Sequence, residues 1–501
     1  MDNLKDKTAK GIAWGALNNG TTQVLNLLFG IVLARCLSES DYGIIALLTI
    51  ITTLAGYLQS AGFSQALANM KSPTQRDYNA VFWFNVLAGA TMYVILFFAS
   101  PLLAAFFRLP VLVDVARLTF VSILASALGI APNAKLWIEL RNRELAITSI
   151  VALIVSGCTG VWLAFHGYGY WSLAWQQLIF ISLSTILKWY FIRWRPTLPI
   201  DFSPIRGMLR FSSKMLATNM LNVVSQNVLT LIFGKLLPIG VVGQWGQANK
   251  WNIMGSSFIS ATMQQVAQPV LTKAAADDSA TVPAVSPQGS ATVPTASPQG
   301  FQRQERVFRK MLRFTAFVSF PLMLGLALVA KEFIVLTIGA KWLPCVPMLQ
   351  TLCIGGAFLP LHTLYQNFII SRGRSDLYLT CVSLMIALQV VLTLGLSPWG
   401  IMAMVVAFTT LNVVFTAVWH FALRRIHPLG TVAALLDTMP FLLVAVAVMA
   451  TTYALTSWTD SLLLRLCLRI LIAAILYLAA MKMLKAKTLE ECMAFVVRNH
   501  H

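Results

Sequence analysis

Apolar runs of about twenty residues recur along the whole of this chain, too many for any soluble core to absorb. The residues are 57% hydrophobic and 11% charged, with a mean hydropathy of +0.73. A soluble domain carries about 25% charged residues. The pattern predicts an all-α polytopic membrane protein. Breaks at charged, Gly and Pro positions divide it into about 14 transmembrane helices. These lie near 11–35, 42–66, 79–106, 114–138, 145–166, 169–191, 207–234, 239–270, 310–330, 345–371, 377–396, 400–423, 430–456 and 461–481. The opening MDNLKDKTAK is polar and basic, and the apolar run after it is too long for a cleaved leader. The seven cysteines follow no metal or redox spacing and read as small hydrophobes.

An even number of spans puts both termini on one side. Most of the 37 Lys and Arg fall on that side, from Lys5, Lys7 and Lys10 through Arg193, Arg195, Arg206 and Arg210 to Lys482, Lys485 and Lys487. The positive-inside rule makes it cytoplasmic. The net charge of +19 therefore faces anionic inner-leaflet lipid, and nucleic acid is not an expected partner. Loops on the opposite side are short, such as LSESD at 37–41 and SWTDS at 457–461, so no folded domain stands there.

RWRPTLPIDFSPI (193–205) is a Pro-rich basic linker. It divides an N-terminal lobe at 1–192 from a C-terminal lobe at 207–425, with 193–206 as linker. Residues 426–501 add two further helices and a cytoplasmic tail. SATVPAVSPQG (279–289) is repeated at once as SATVPTASPQG (290–300). Its composition cannot bury a core, and 274–304 reads as a flexible cytoplasmic loop, most simply a tolerated insertion.

A second repeat sets the architecture. NNGTTQVLNLLFG (18–30) aligns with NVVSQNVLTLIFG (222–234) at an offset of 204, and DYG (41–43) meets QWG (244–246) after a one-residue shift. Span 1 thus resembles span 7, and span 2 resembles span 8. Both copies start on the same side. The expectation is two six-helix lobes in a parallel internal repeat plus two extra C-terminal helices, an arrangement that builds secondary transporters.

Polar residues in the first span of each lobe share one face. Span 1 carries Asn18, Asn19, Thr22, Asn26 and Gly30. Span 7 carries Asn222, Gln226, Thr230 and Gly234. The plainer reading is that they glue neighbouring helices. Matched stripes in both lobes favour a shared water-filled cavity. Span 8 adds Gln247 and Lys250 (VVGQWGQANKWNIMGSS, 241–257). A lysine at the bilayer centre costs about 2.5–3.5 kcal/mol on insertion scales. In the repeat register its counterpart is Leu47, so it is not a symmetric packing device. Asp41, Asp114, Glu139, Asp376 and Asp437 all fall at span ends, so no carboxylate is expected to pair with it. An anionic substrate, a phosphate or pyrophosphate, would compensate the charge. Arg35 and Lys214 are candidate way-stations at opposite membrane faces, or ordinary snorkelling side chains.

At this point a family resemblance is visible. GIAWGALNNGTTQVLNLLFGIVLARCLSESDYGIIALLTIITTLAGYLQSAGFSQAL (11–67), with its "LSxxDYG" and "GFSQAL" words, resembles the opening of bacterial polysaccharide-export flippases. VGQWGQANKW (242–251) and FPLMLGLALVAKEFIVLTIGAKWLPCVPMLQTL (320–352) resemble the same family's second lobe. The family is the Wzx-type branch of the multidrug/oligosaccharidyl-lipid/polysaccharide exporter superfamily. The resemblance implies a bacterial inner-membrane flippase. It would move a polyprenyl-pyrophosphate-linked oligosaccharide to the periplasmic leaflet by alternating access, alongside polysaccharide polymerase machinery. The duplicated insert departs from that pattern. No cofactor is expected, and the coupling ion, H+ or Na+, stays open. The competing reading is a multidrug/cation antiporter, which would need a midplane carboxylate. An enzyme would need converging acid/base groups, and the six histidines are scattered.

Overall fold

The computed structural model describes residues 2–60, 63–68, 73–198, 200–276, 298–427 and 429–484, with 70 and 489. Among the described residues sixteen α-helices follow one another. They are α1 (Asp2–Cys36), α2 (Glu39–Ser60), α3 (Phe63–Ala68), α4 (Gln75–Phe107), α5 (Leu112–Ile138), α6 (Asn142–Phe165), α7 (Tyr170–Phe191) and α8 (Ser203–Leu236). Then come α9 (Ile239–Ala276), α10 (Pro298–Thr337), α11 (Val346–Gly356), α12 (Leu359–Ser371), α13 (Ser375–Gly395), α14 (Ile401–Arg424), α15 (Thr431–Thr456) and α16 (Leu462–Met483). With α3 too short to cross and α11–α12 forming one broken crossing, these make the fourteen expected. Ten described segments are long and apolar enough to span a membrane. The other four, α1, α7, α8 and α9, are rich in Asn, Gln, Ser and Thr. Of the duplication, residues 279–297 lie outside the described residues, and helix α10 already starts at Pro298.

The chain divides into two compact units, Met1–Gly246 and Gln247–His501. In the first, α5 packs on α4 and α7, α6 on α7 and α1, and α8 on α2, α3 and α4. The "LSxxDYG" word has a local physical cause. Asp41 Oδ2 accepts from the Ser38 backbone N–H at 2.8 Å, and Ser38 Oγ accepts from the Asp41 N–H at 3.2 Å, a reciprocal cap that starts α2. Thr74 and Asp77 do the same for α4. The linker at 193–206 is strapped down: Asn79 exchanges two hydrogen bonds with Thr197 (2.8 and 2.9 Å), and Arg76 pairs with Asp201. Beneath it, Trp189 and Trp194 stack at 5.7 Å, with Phe82 edge-on to both.

Helix α1 rests on α6, where the Phe29 ring covers Gly157. A Cβ on Gly157 would overlap that ring. Gly157→Ala is therefore expected to lower thermal stability by about 1–3 kcal/mol, as overpacking does. Unfolding in detergent measures it, and an unchanged midpoint would show that α1 is free to shift.

In the second unit α10 is the central element, packed on α11, α12, α15 and α16. The span expected at 345–371 is two helices. Gly355 and Gly356 end α11, and Pro360 in the first turn of α12 has no N–H for the Gly356 carbonyl. Ser319 Oγ donates to the Ala357 carbonyl at 2.7 Å, satisfying part of the break.

Helix ends correct the repeat register. α1 stops at Cys36 and α8 at Leu236, and α2 starts at Glu39 and α9 at Ile239, so the offset is 239 − 39 = 200 rather than 204. Four residues turn a helix by about 400°, so the slip leaves the polar face almost where it was and the pattern alone could not detect it. In this register Thr22 pairs with Asn222, Asn26 with Gln226 and Arg35 with Lys235. Lys250 corresponds to Ile50, not Leu47.

Candidate functional site

The side chains singled out in the sequence lie on α1, α8 and α9. On α1, Asn19 and Asn26 are exposed, while Asn18 and Thr22 are half-buried. Thr22 Oγ1 donates to the Asn18 carbonyl at 2.7 Å. Asn18 Oδ1 is buried with no hydrogen-bond partner. On α8, Gln226 is exposed and Asn222 half-buried. Thr230, on the same stripe, is buried and accepts from Trp245 Nε1 at 3.0 Å. The stripe thus has two fates. Its inner residues bind the protein, and the amides of Asn19, Asn26 and Gln226 turn away from the packed interior of the first unit.

Lys250 lies eleven residues into α9, about 17 Å along its axis, roughly half the thickness of the hydrocarbon layer. Its side chain is exposed on the surface of the second unit, and no described residue gives it a hydrogen bond or an ion pair. Gln247, one turn before it, is buried, and both its amide atoms lack partners. Asn252 packs its side-chain oxygen against Gly356 at the break between α11 and α12, also without a hydrogen-bond partner for that oxygen. Arg35 is exposed in the last turn of α1. The side chain of Lys214 lies outside the described residues.

Of the two buried acids of the second unit among the described residues, the sequence placed Asp437 at a span end and did not single out Glu332. Glu332 on α10 is 1% exposed and accepts from Arg469 of α16 at 2.9 Å, with Arg465 at 3.7 Å. Arg469 also donates to Thr456 Oγ1 and the Leu328 carbonyl. At the other end of α10, Asp437 is gripped by Arg309 at 2.6 Å and Arg313 at 3.5 Å. A signal was present: Arg465 and Arg469 stand four residues apart on one helix face, in a region with few acids. His427, in the loop before α15, is buried near Glu305 at 3.7 Å. Burial first, and the charge of Arg372 second, hold its pKa below the usual imidazole value. Cys36, Cys158 and Cys467 are exposed, while Cys345, Cys353 and Cys381 are buried, none of the six in a disulfide. The small-hydrophobe expectation holds for the second group.

Two lobes of membrane helices built on a parallel repeat, with exposed amides and Lys250 on intramembrane faces, define a polytopic protein of the flippase and multidrug-transporter fold. The chain matches 94% of its length to a lipid II flippase MurJ structure in an inward closed conformation, covering 99% of that chain, with a TM-score of 0.72 and 15% identity. An inward-facing multidrug resistance MATE transporter matches 81% of this chain and 94% of its own at a TM-score of 0.58 and 14% identity. The chain belongs to the polysaccharide biosynthesis protein family, whose profile matches residues 32–287 and 290–347. Among curated relatives, the lipopolysaccharide biosynthesis protein WzxC of Escherichia coli is 24% identical over 75% of this chain and 72% of its own. The teichuronic acid biosynthesis protein TuaB of Bacillus subtilis is 22% identical over 75% of this chain and 74% of its own. The succinoglycan biosynthesis transport protein ExoT of Rhizobium meliloti is 21% identical over 71% and 67%.

Proposed function

We propose that this chain carries a polyprenyl-pyrophosphate-linked oligosaccharide from the cytoplasmic to the periplasmic leaflet of a bacterial inner membrane, by alternating access. The observation that carries the reading is Lys250. It is an ammonium deep in a membrane helix, with no carboxylate among the described residues to neutralise it. A pyrophosphate supplies that charge and several strong acceptors. Gln247, Asn18, Asn19, Thr22, Asn26, Asn222 and Gln226 then offer amide and hydroxyl groups to sugar hydroxyls along the pathway. Lys214, on α8, and Arg35, in the last turn of α1, would hold the diphosphate at entry and exit respectively. Membership of a polysaccharide biosynthesis family supports the substrate class, and the likeness to a lipid II flippase supports the fold's capacity for lipid-linked cargo. Polysaccharide polymerase machinery would receive the product.

Exchange of a cationic drug against H+ or Na+ needs a free buried carboxylate. Among the described residues the buried acids are Glu332 and Asp437, and each is held by two arginines. That leaves the antiporter reading without its central group.

The test is reconstitution. Purified protein in liposomes holding a fluorescent polyprenyl-pyrophosphate oligosaccharide is expected to expose the labelled headgroup to an outside quencher. Empty liposomes keep half of it protected. Equal protection in both sinks the transport reading.

A further inference from the structure

Two buried histidines of the second unit take no part in the transport reading. They stand between α12 and α14. Asn412, Thr416, His420 and Arg424 follow one another at steps of four and so share one face of α14. His362 and Tyr365 meet them from α12. His362 Nε2 lies 3.0 Å from Thr416 Oγ1, and His420 Nδ1 lies 3.4 Å from Tyr365 Oη. The other ring nitrogen of His420 lies 3.2 Å from Thr431 Oγ1, on the first residue of α15, and that oxygen also accepts from Arg424 Nη1 at 3.0 Å. His362, Tyr365 and His420 are buried, and Arg424 is exposed. A hydrogen-bonded chain thus runs without a gap from the surface at Arg424 through Thr431 and His420 to Tyr365.

The chain satisfies both charge states of the ring. Arginine only donates, which leaves the Thr431 hydrogen for His420 Nε2 and the Nδ1 hydrogen of the neutral ring for Tyr365. With a second proton the ring donates from both nitrogens, and both hydroxyl oxygens have lone pairs to accept. The surrounding charges come from several elements. Arg424 stands one turn on along α14 and repels a charged ring. α15 brings Asp437, near enough to act on Tyr365 but held by Arg309 and Arg313 of α10. On α13, Asp376 is exposed and paired with Arg374, and Tyr378 stacks on Trp419, the neighbour of His420. α11 carries a single titratable group, Cys353. In the loop before α15, His427 lies beside Glu305 of α10. The partners of the His420 ring are hydroxyls, so a proton there adds a positive charge to this unit.

We propose that His420 is a reversible proton-binding site, filled through Thr431 from the side that carries the basic loops, and that it makes transport follow the pH on that side. The inference rests on the transport reading above, which places that side in the cytoplasm and loads the cargo there. Intramembrane histidines mark proton relays in pumps and transporters. A proton on His420 puts one more positive charge on the unit that holds Lys250, so an anionic cargo loads more readily when the ring is charged. Thr431 and Tyr365 are positioning residues and touch no cargo.

The test is a titration that needs no cargo. The chain has six histidines, and in protein isotopically labelled at its imidazoles, His420→Gln identifies the ring signals of His420. Those signals are expected to titrate reversibly between about pH 8 and about pH 5.5, across the ordinary imidazole range, and in Thr431→Val to stay those of a neutral ring. In proteoliposomes at limiting cargo, acidifying the cytoplasmic side over that range is expected to speed flipping about fivefold, the low end of ordinary coupling between two sites. His420→Gln and Thr431→Val are expected to lose that rise. A ring that stays neutral throughout with the native fold intact, a ring that titrates unchanged in Thr431→Val, or a rise that survives in both variants overturns the proton site. Titration as expected with no flipping at any pH overturns the transport reading and leaves the proton site standing.

Discussion

Lys250→Ala and Lys250→Glu are expected to flip lipid-linked oligosaccharide at least tenfold more slowly than the native protein, while Lys250→Arg keeps a measurable share. A hydrogen bond to a charged group contributes about 1.5–3 kcal/mol, which at about 1.4 kcal/mol per tenfold corresponds to a ten- to hundredfold loss. Glutamate goes further, since it places like charge against the pyrophosphate. Arginine keeps the cation but spreads it over a planar fork, so its geometry on a diphosphate differs from that of a compact ammonium. All three variants should fold, because the Lys250 side chain bonds to no described residue. Quencher accessibility in proteoliposomes measures the effect, with expression and melting as controls. Full activity in Lys250→Glu would remove the phosphate role.

The second large effect concerns stability. Glu332→Ala leaves the guanidinium of Arg469, itself 5% exposed, buried beside Arg465 with no counter-charge. Breaking one partner of a buried pair costs about 3–5 kcal/mol. The melting temperature in detergent should fall by many degrees. Glu332→Asp should lose less, and Glu332→Leu combined with Arg469→Met should recover much of the loss, because it removes both charges together. If Glu332→Ala melts with the native protein, water or lipid headgroups reach the pair and it does not brace α10 against α16.

How much of this was legible in the sequence depends on which interactions are local. The crossings came through because bilayer thickness fixes their length. The Ser38–Asp41 cap was visible as a recurring word whose cause is a hydrogen-bonded turn. The repeat was visible too, but its register slipped by four residues: FG at 29–30 and 233–234 match by letter, whereas the helix ends at Cys36 and Leu236 match by position. The break in the tenth crossing was hidden because Gly355, Gly356 and Pro360 sit in an otherwise apolar run, and a hydropathy profile does not register a missing N–H. Of the candidate residues, the shared helix face of Asn19 and Asn26 was readable from helical spacing. Burial of Gln247, one turn from an exposed Lys250, was not, because both stand on one broad polar face. The pairing of Glu332 with Arg469 is long-range, joining residues 137 apart, and only packing brings them together.

Helix α10 has 40 residues, about 60 Å of continuous rod. It carries a bidentate carboxylate grip near its start, from Arg309 to Asp437, and the Glu332–Arg469 pair near its end. Both grips reach across to α15 and α16. A shaft splinted at each end resists shear, so the last two crossings should travel with α10 as a solid piece. Whatever flexing the molecule needs is left to helices that lack such bolts.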